Sequence, residues 1–203
     1  MRNVSDSKLV LASASRARSR LLDNAGVSFS VMVAEVDEDS VKIQARKAGK
    51  PVSETAALLA EAKARFVSKH QPNAHVIGAD QILEYDGTLF DKPADRGEAE
   101  AHLRQLRGKT HRLVTACCVV LNDTLEWRCI KEARLSMRSF DDDFMTRYLD
   151  RLGEDALASV GAYQLEGLGA RLFSHVEGDF FTILGLPLLP LLDYLEEREL
   201  IGK

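Results

Sequence analysis

The sequence predicts an α/β fold, a mixed β-sheet with flanking helices, in a single domain over residues 1–203. Short apolar runs that read as strands alternate along the chain with segments of helical period. The 203 residues suit one domain, or one domain with a cleft between two lobes. No repeat, low-complexity tract or long linker divides them. A chain this long buries roughly 70% of the surface its unfolded form exposes, so it needs no disulfide or structural metal. Its 45% hydrophobic and 29% charged residues are those of a soluble globular protein.

Taken in order, Leu9 to Ala12 reads as a strand, followed by the Ser13-Ala14-Ser15 turn. A helix then carries Ala17, Leu21, Leu22 and Ala25 and stops at Gly26. Phe29 to Val33 suggests a second strand, and Ala34 to Lys50, which shows no period, reads mostly as loop. Ser53 can cap a helix whose face holds Leu59, Phe66 and Val67. Val76 to Tyr85 is a strand turned by Asp86-Gly87 into Thr88-Leu89-Phe90, a hairpin that needs positive φ at both turn residues. Asp95-x-x-Glu98 is a capping box for a helix with Ala99, Leu103 and Leu106 on one side. Two more strands, Leu113 to Leu121 and Leu125 to Leu135, are joined by Asn122-Asp123. A helix over about Asp141 to Leu152 aligns Phe144, Tyr148, Leu149 and Leu152. Gly161, Gly167 and Gly169 mark turns before a strand near Arg171 to His175, and Pro187 opens a last helix ending near Arg198.

Lys plus Arg is 27 and Asp plus Glu is 31, a net charge of −4, so nothing drives the chain as a whole toward nucleic acid or an anionic membrane. Met1 to Ser7 lacks the apolar core of a secretory leader. The apolar stretch Ile183 to Leu192 is far short of the ~20 residues of a membrane helix and contains two prolines. Cytoplasm is the expected compartment. Cys117, Cys118 and Cys129 form no C-x-x-C pair, and the five histidines show no metal-binding spacing.

Four features stand out chemically. Arg16, Arg18 and Arg20 open a helix whose N-terminus is already partly positive, an arrangement suited to an anion, although a solvated basic face reads the same way. Asp80 lies on a strand expected to be buried, where a carboxylate needs a cation, a metal or backbone amides, and Gly78 beside it implies a close backbone approach. Lys63 falls on the apolar side of its helix, where a lysine can also snorkel to water. Lys92-Pro93 follows the hairpin. Gly108-Lys109-Thr110 lacks the earlier glycine of a P-loop, and Gly167-Leu168-Gly169 lacks the third glycine of a dinucleotide fingerprint.

Read together, Leu11-Ala12-Ser13-Ala14-Ser15-x-x-Arg18, Val36-Asp37-Glu38, Leu59-Ala60-x-x-Lys63-Ala64, Ile77-Gly78-Ala79-Asp80, Asp91-Lys92-Pro93, Leu106-x-Gly108-x-x-His111, Gly161-Ala162-Tyr163 and Gly185-Leu186-Pro187-Leu188 resemble the Maf family of nucleoside triphosphate pyrophosphatases. The resemblance implies a sheet structure of the inosine triphosphatase type with two lobes around a central cleft, often a homodimer. It also implies cleavage of a nucleoside triphosphate between its α and β phosphates. The implied catalytic residues are Asp80, Glu38, Lys63 and Lys92, with Glu38 and Asp80 holding Mg2+ or Mn2+. Ser13, Ser15 and Arg18 contact phosphate, and Ala17, Gln81 and Glu166 select the base.

Such a reaction needs cations on the phosphate oxygens, few carboxylates on a metal and one carboxylate for the water, which these residue types supply. The chain departs from the common family pattern at Arg16 for Pro, Ala17 for Arg, Gln81 for Thr and Glu166 for Gln. Gln81 and Glu166 resemble the subgroup acting on 7-methyl-GTP. A competing reading, carried by the family's historical name, is a nucleotide-sensing regulator of cell division and septation.

Overall fold

The computed structural model describes residues 9–202; the Met1–Ser7 segment assessed for a leader lies outside the described residues. The elements in chain order are β1 (Leu9–Leu11), α1 (Arg16–Asn24), β2 (Ser30–Val31), α2 (Glu38–Lys47), α3 (Val52–His70), β3 (His75–Tyr85), β4 (Thr88–Phe90), α4 (Arg96–Leu106), β5 (Thr110–Leu121), β6 (Thr124–Met137), α5 (Asp142–Leu152), three 3-10 turns, β7 (Phe173–Glu177), α6 (Phe180–Ile183) and α7 (Leu188–Glu197). Seven strands pair in the order β2-β1-β3-β5-β6-β7, with β4 on β3. β1 is parallel to β2 and β3, whereas β4 and β7 run antiparallel to β3 and β6. The sheet is therefore mixed, as the sequence predicts.

Both two-residue hairpins have the backbone their residues favour. Asp86 and Gly87 have φ of 52° and 76°, and Asn122 and Asp123 have 48° and 62°. Asp95 caps α4 by accepting from Glu98 N at 2.9 Å, while Glu98 Oε2 accepts from Ala94 N at 2.8 Å.

Three expectations need correction. Ala34 to Lys50 is not mostly loop, because α2 occupies its centre. Asp37 caps this helix through Ser40 N at 3.0 Å, Glu38 and Asp39 lie in its first turn, and Arg46 and Lys47 in its last. Only Ala45 is buried, so α2, capped and charge-matched at its ends and packed against α3, leaves no apolar period to read. Ser53, expected as the next cap, lies inside α3, whose N-cap is Pro51. The second strand shrinks to Ser30–Val31.

The chain divides into two compact units. The first comprises 9–81, 115–131 and 185–202 of the described residues, and the second comprises 82–114 and 132–184. In the first, α3 buries Leu59, Ala60, Ala64 and Val67, and β1 and the start of β3 are almost wholly buried. In the second, Leu83, Leu103, Leu106, Leu113, Leu135, Met145 and Leu149 form the centre of one apolar cluster.

Candidate active site

In the first unit, Gly78 and Asp80 are two apart on β3 and so share a face, while Ala60, Lys63 and Ala64 share a face of α3. A Cβ at Gly78 would run into the Ala60 carbonyl and come within 2.8 Å of Ala64 Cβ. The close approach implied by Gly78 is therefore that of α3, not of a ligand. It brings the lysine of the helix onto the aspartate of the strand: Lys63 Nζ donates to Asp80 Oδ1 at 2.6 Å. The same ammonium lies 2.9 Å from Glu38 Oε1, at the first turn of α2. Lys63 thus does not snorkel to water but bridges two carboxylates.

The second group gathers around α1. Ser15 caps the helix by accepting from Arg18 N at 3.4 Å, and Ser13 Oγ accepts from Ser15 N at 3.2 Å. Arg18 is buried. Its Nη1 donates to Ser13 Oγ at 3.0 Å and its Nε to the Gly185 carbonyl at 2.7 Å. Gly185 has φ of 99°, and a Cβ there would lie 3.4 Å from Arg18 Nε, so glycine lets the chain turn against the guanidinium. The three arginines of α1 do not act alike, since Arg16 and Arg20 are exposed.

Electrostatically the two groups are one. Burial pushes the Asp80 carboxyl above its ordinary range, opposed by Lys63 and then by Arg18. Burial also pushes Arg18 below its ordinary value, opposed first by Asp80 and then by Cys117 and Glu38. A carboxylate made proton-seeking by desolvation, with cations at hand, is equipped to take a proton from water while positive charge receives an anion.

Of the remaining base-selecting residues, Ala17 is half-buried in α1, and Gln81 Nε2 donates to Thr115 Oγ1 at 2.8 Å. Lys92 and Glu166 belong to the second unit. Lys92 is exposed between β4 and α4, and Glu166 is exposed in a turn before the 3-10 helix Leu168–Leu172. The residues that the chemical reading of the sequence left without a role are the Gly185 carbonyl and Thr115. A main-chain oxygen leaves no side-chain signal, and a buried strand threonine looks like any other.

For a divalent metal, the donors in this unit are Glu38 and Asp80. No group of three or more His, Cys, Asp or Glu residues that could hold a metal gathers among the described residues. Two hard carboxylates already converging on a cation fit Mg2+ or Mn2+ bound together with phosphate oxygens and water, but not a metal caged by protein alone.

Comparison with known proteins adds the remaining observation. The family model described as Maf-like protein matches residues 8–198. A nucleoside triphosphate pyrophosphatase of Paramagnetospirillum magneticum is 53% identical over 189 residues, covering 93% of this chain and 97% of that protein. A 7-methyl-GTP pyrophosphatase of Rhizobium etli is 48% identical over 190 residues, covering 94% and 96%.

Proposed function

The chain belongs to the Maf family, and from that premise we propose that it hydrolyses a nucleoside triphosphate to a nucleoside monophosphate and pyrophosphate. The observation that carries the chemistry is the buried Asp80 carboxylate held by Lys63 beside buried Arg18. Asp80 accepts the proton of the attacking water, an oxygen–phosphorus bond forms, and the α–β bridging bond breaks, its electron pair leaving with pyrophosphate. Arg18, fixed by Ser13 and Gly185, holds phosphate negative charge, with Ser13, Ser15 and the α1 N-terminus as further donors. Lys63 and Lys92 add positive charge. Glu38 and Asp80 are the residues that would hold Mg2+ or Mn2+, which when bound supplies further charge to the phosphates.

The finer reading is the base. Glu166, acceptor-only when ionised, suits the adjacent N–H donors of guanine, and more so when N7 methylation makes the ring cationic. Gln81 and Ala17 complete that selection. We therefore extend the proposal to 7-methyl-GTP or a related modified nucleotide over dTTP and UTP. The nucleotide pools involved make cytoplasm the proposed compartment; no helix among the described residues is long and apolar enough to cross a membrane. In this reading residues 1–203 act as one functional domain that forms a homodimer and engages neither membrane nor nucleic acid.

Initial rates of pyrophosphate release from 7-methyl-GTP, dTTP and UTP with Mg2+ or Mn2+ test both levels. Release from 7-methyl-GTP fastest of the three, and a weakened preference in Glu166→Gln, is the expected result. No release from any nucleotide overturns the reaction. A pyrimidine preference unaltered by Glu166→Gln overturns the base reading alone.

A further inference from the structure

In the second unit, one stripe of α5 alternates rings and arginines: Phe144, Arg147, Tyr148 and Arg151 recur at helical spacing. The acidic residues of this helix do not neutralise it. Asp142 is paired with Arg107 at 2.5 Å and Asp150 with Arg96 at 2.7 Å, both cations from α4 or its C-cap. Asp143 stands four before Arg147, at the spacing that makes helical ion pairs, and Glu154 lies three after Arg151 in the 3-10 turn beyond the Gly153 C-cap. Neither comes within ion-pairing distance. A third guanidinium, Arg171 of the 3-10 turn Leu168–Leu172, lies over the Phe144 ring at 5.7 Å.

Between these groups and Leu168 is a cavity of about 190 Å³. Its floor is apolar and its own polar group is already satisfied, since Tyr148 Oη donates to the Ala162 carbonyl at 3.1 Å. Three exposed cations with no carboxylate paired to them among the described residues, around one apolar slot in a chain of net charge −4, repel one another and favour a complementary anion.

We propose that this slot binds a nucleoside monophosphate, at residues separate from those assigned to the reaction. The occupant must combine a flat apolar body with a compact negative charge. A base stacks on aromatic rings and arginine planes, and a phosphate dianion takes paired N–H donors from guanidinium groups. A bare phosphate or pyrophosphate leaves the apolar floor unused, and an uncharged nucleoside leaves the arginines unneutralised. The choice of a nucleotide over other aromatic anions rests on the proposed reaction, whose product is a nucleoside monophosphate.

Calorimetric titration of GMP, without divalent metal, into the full-length Arg18→Ala protein, in which loss of the buried phosphate donor of the first unit weakens binding there, reads the slot through its own arginines. The same titration into Arg18→Ala/Arg147→Ala/Arg151→Ala should show at least about tenfold weaker binding, the loss of one or two charged hydrogen bonds. Guanosine and inorganic phosphate, each titrated alone, should bind at least about tenfold more weakly than GMP. In the otherwise wild-type chain, Arg147→Ala/Arg151→Ala should leave the melting temperature and the initial hydrolysis rate unchanged. Equal GMP affinity with and without the two arginines overturns the site. Phosphate binding as tightly as GMP overturns the nucleoside part. Because binding is read directly, the outcome stands even if no triphosphate is hydrolysed, the result that overturns the reaction itself.

Discussion

The two units bury polar groups in opposite ways. The first buries charge: Asp80 and Arg18 are 7% and 9% exposed, and Lys63 joins them. The second buries a neutral pair inside its apolar cluster, His111 Nε2 and Tyr163 Oη at 2.7 Å. Desolvation holds both members neutral, pushing His111 down to about 4 and Tyr163 up. A neutral buried pair serves packing and specificity at modest cost. Buried charges cost more than they return in stability unless fully paired, so their retention in one unit fits the chemistry proposed for it.

The largest test of this contrast is Asp80→Asn. Turnover is expected to fall by at least about a thousandfold, because the amide keeps the volume but cannot take the proton. Stability should respond the other way. A carboxyl raised in the folded state contributes stability below its ordinary pKa and loses it as pH rises through the folded value. At pH 7 the Asn variant should therefore melt no lower than wild type, and its relative advantage should shrink in acid. A substantial drop in melting temperature at pH 7 would make Asp80 structural.

Lys63→Met comes next. Removing the cation leaves two carboxylates facing each other and should cost roughly 3 to 5 kcal/mol in denaturant unfolding, besides turnover. Adding Asp80→Asn should restore much of that stability, which independent sites would not do.

In the second unit the expected signature is pH dependence. His111 is lowered, so its contribution is present above the ordinary histidine value and lost as pH falls toward about 4. Unfolding free energy should decline across that window by up to about 3 kcal/mol, and His111→Gln should flatten the decline. Tyr163→Phe, which removes one hydrogen-bond partner, should cost about 1 to 2 kcal/mol without altering the rate per folded molecule. Smallest of all is Arg96→Ala. It breaks an exposed pair with Asp150 and should leave the melting temperature within error.

How far the sequence revealed this arrangement depended on which physics left a local trace. The strands other than β2, both hairpins and α4 were legible, because apolar runs, Asp-Gly, Asn-Asp and Asp-x-x-Glu act within a few residues. So was the oddity of Asp80 and Lys63 on apolar faces. Period and spacing did not show their meeting, which only the family resemblance implied, since it requires Gly78 to admit α3, a contact between segments 17 residues apart in chain number. Helix α2 was missed because it packs against α3 with one buried residue and no apolar stripe, its local signals being caps and dipole charges. The burial of Arg18 beside two exposed arginines followed from a main-chain carbonyl at Gly185, which no residue pattern announces.

That same α2 gives the two carboxylates on Lys63 unequal tethers. Asp80 is fastened to a central strand, whereas Glu38 hangs from a helix that contributes one buried alanine and remains half in solvent. Amide protons of α2 should exchange with solvent through local opening, at a free energy well below that guarding β3. Local opening of α2 is then expected to part Glu38 from Lys63 while Asp80 stays paired. One carboxylate belongs to the buried frame of the sheet and the other to a half-exposed helix.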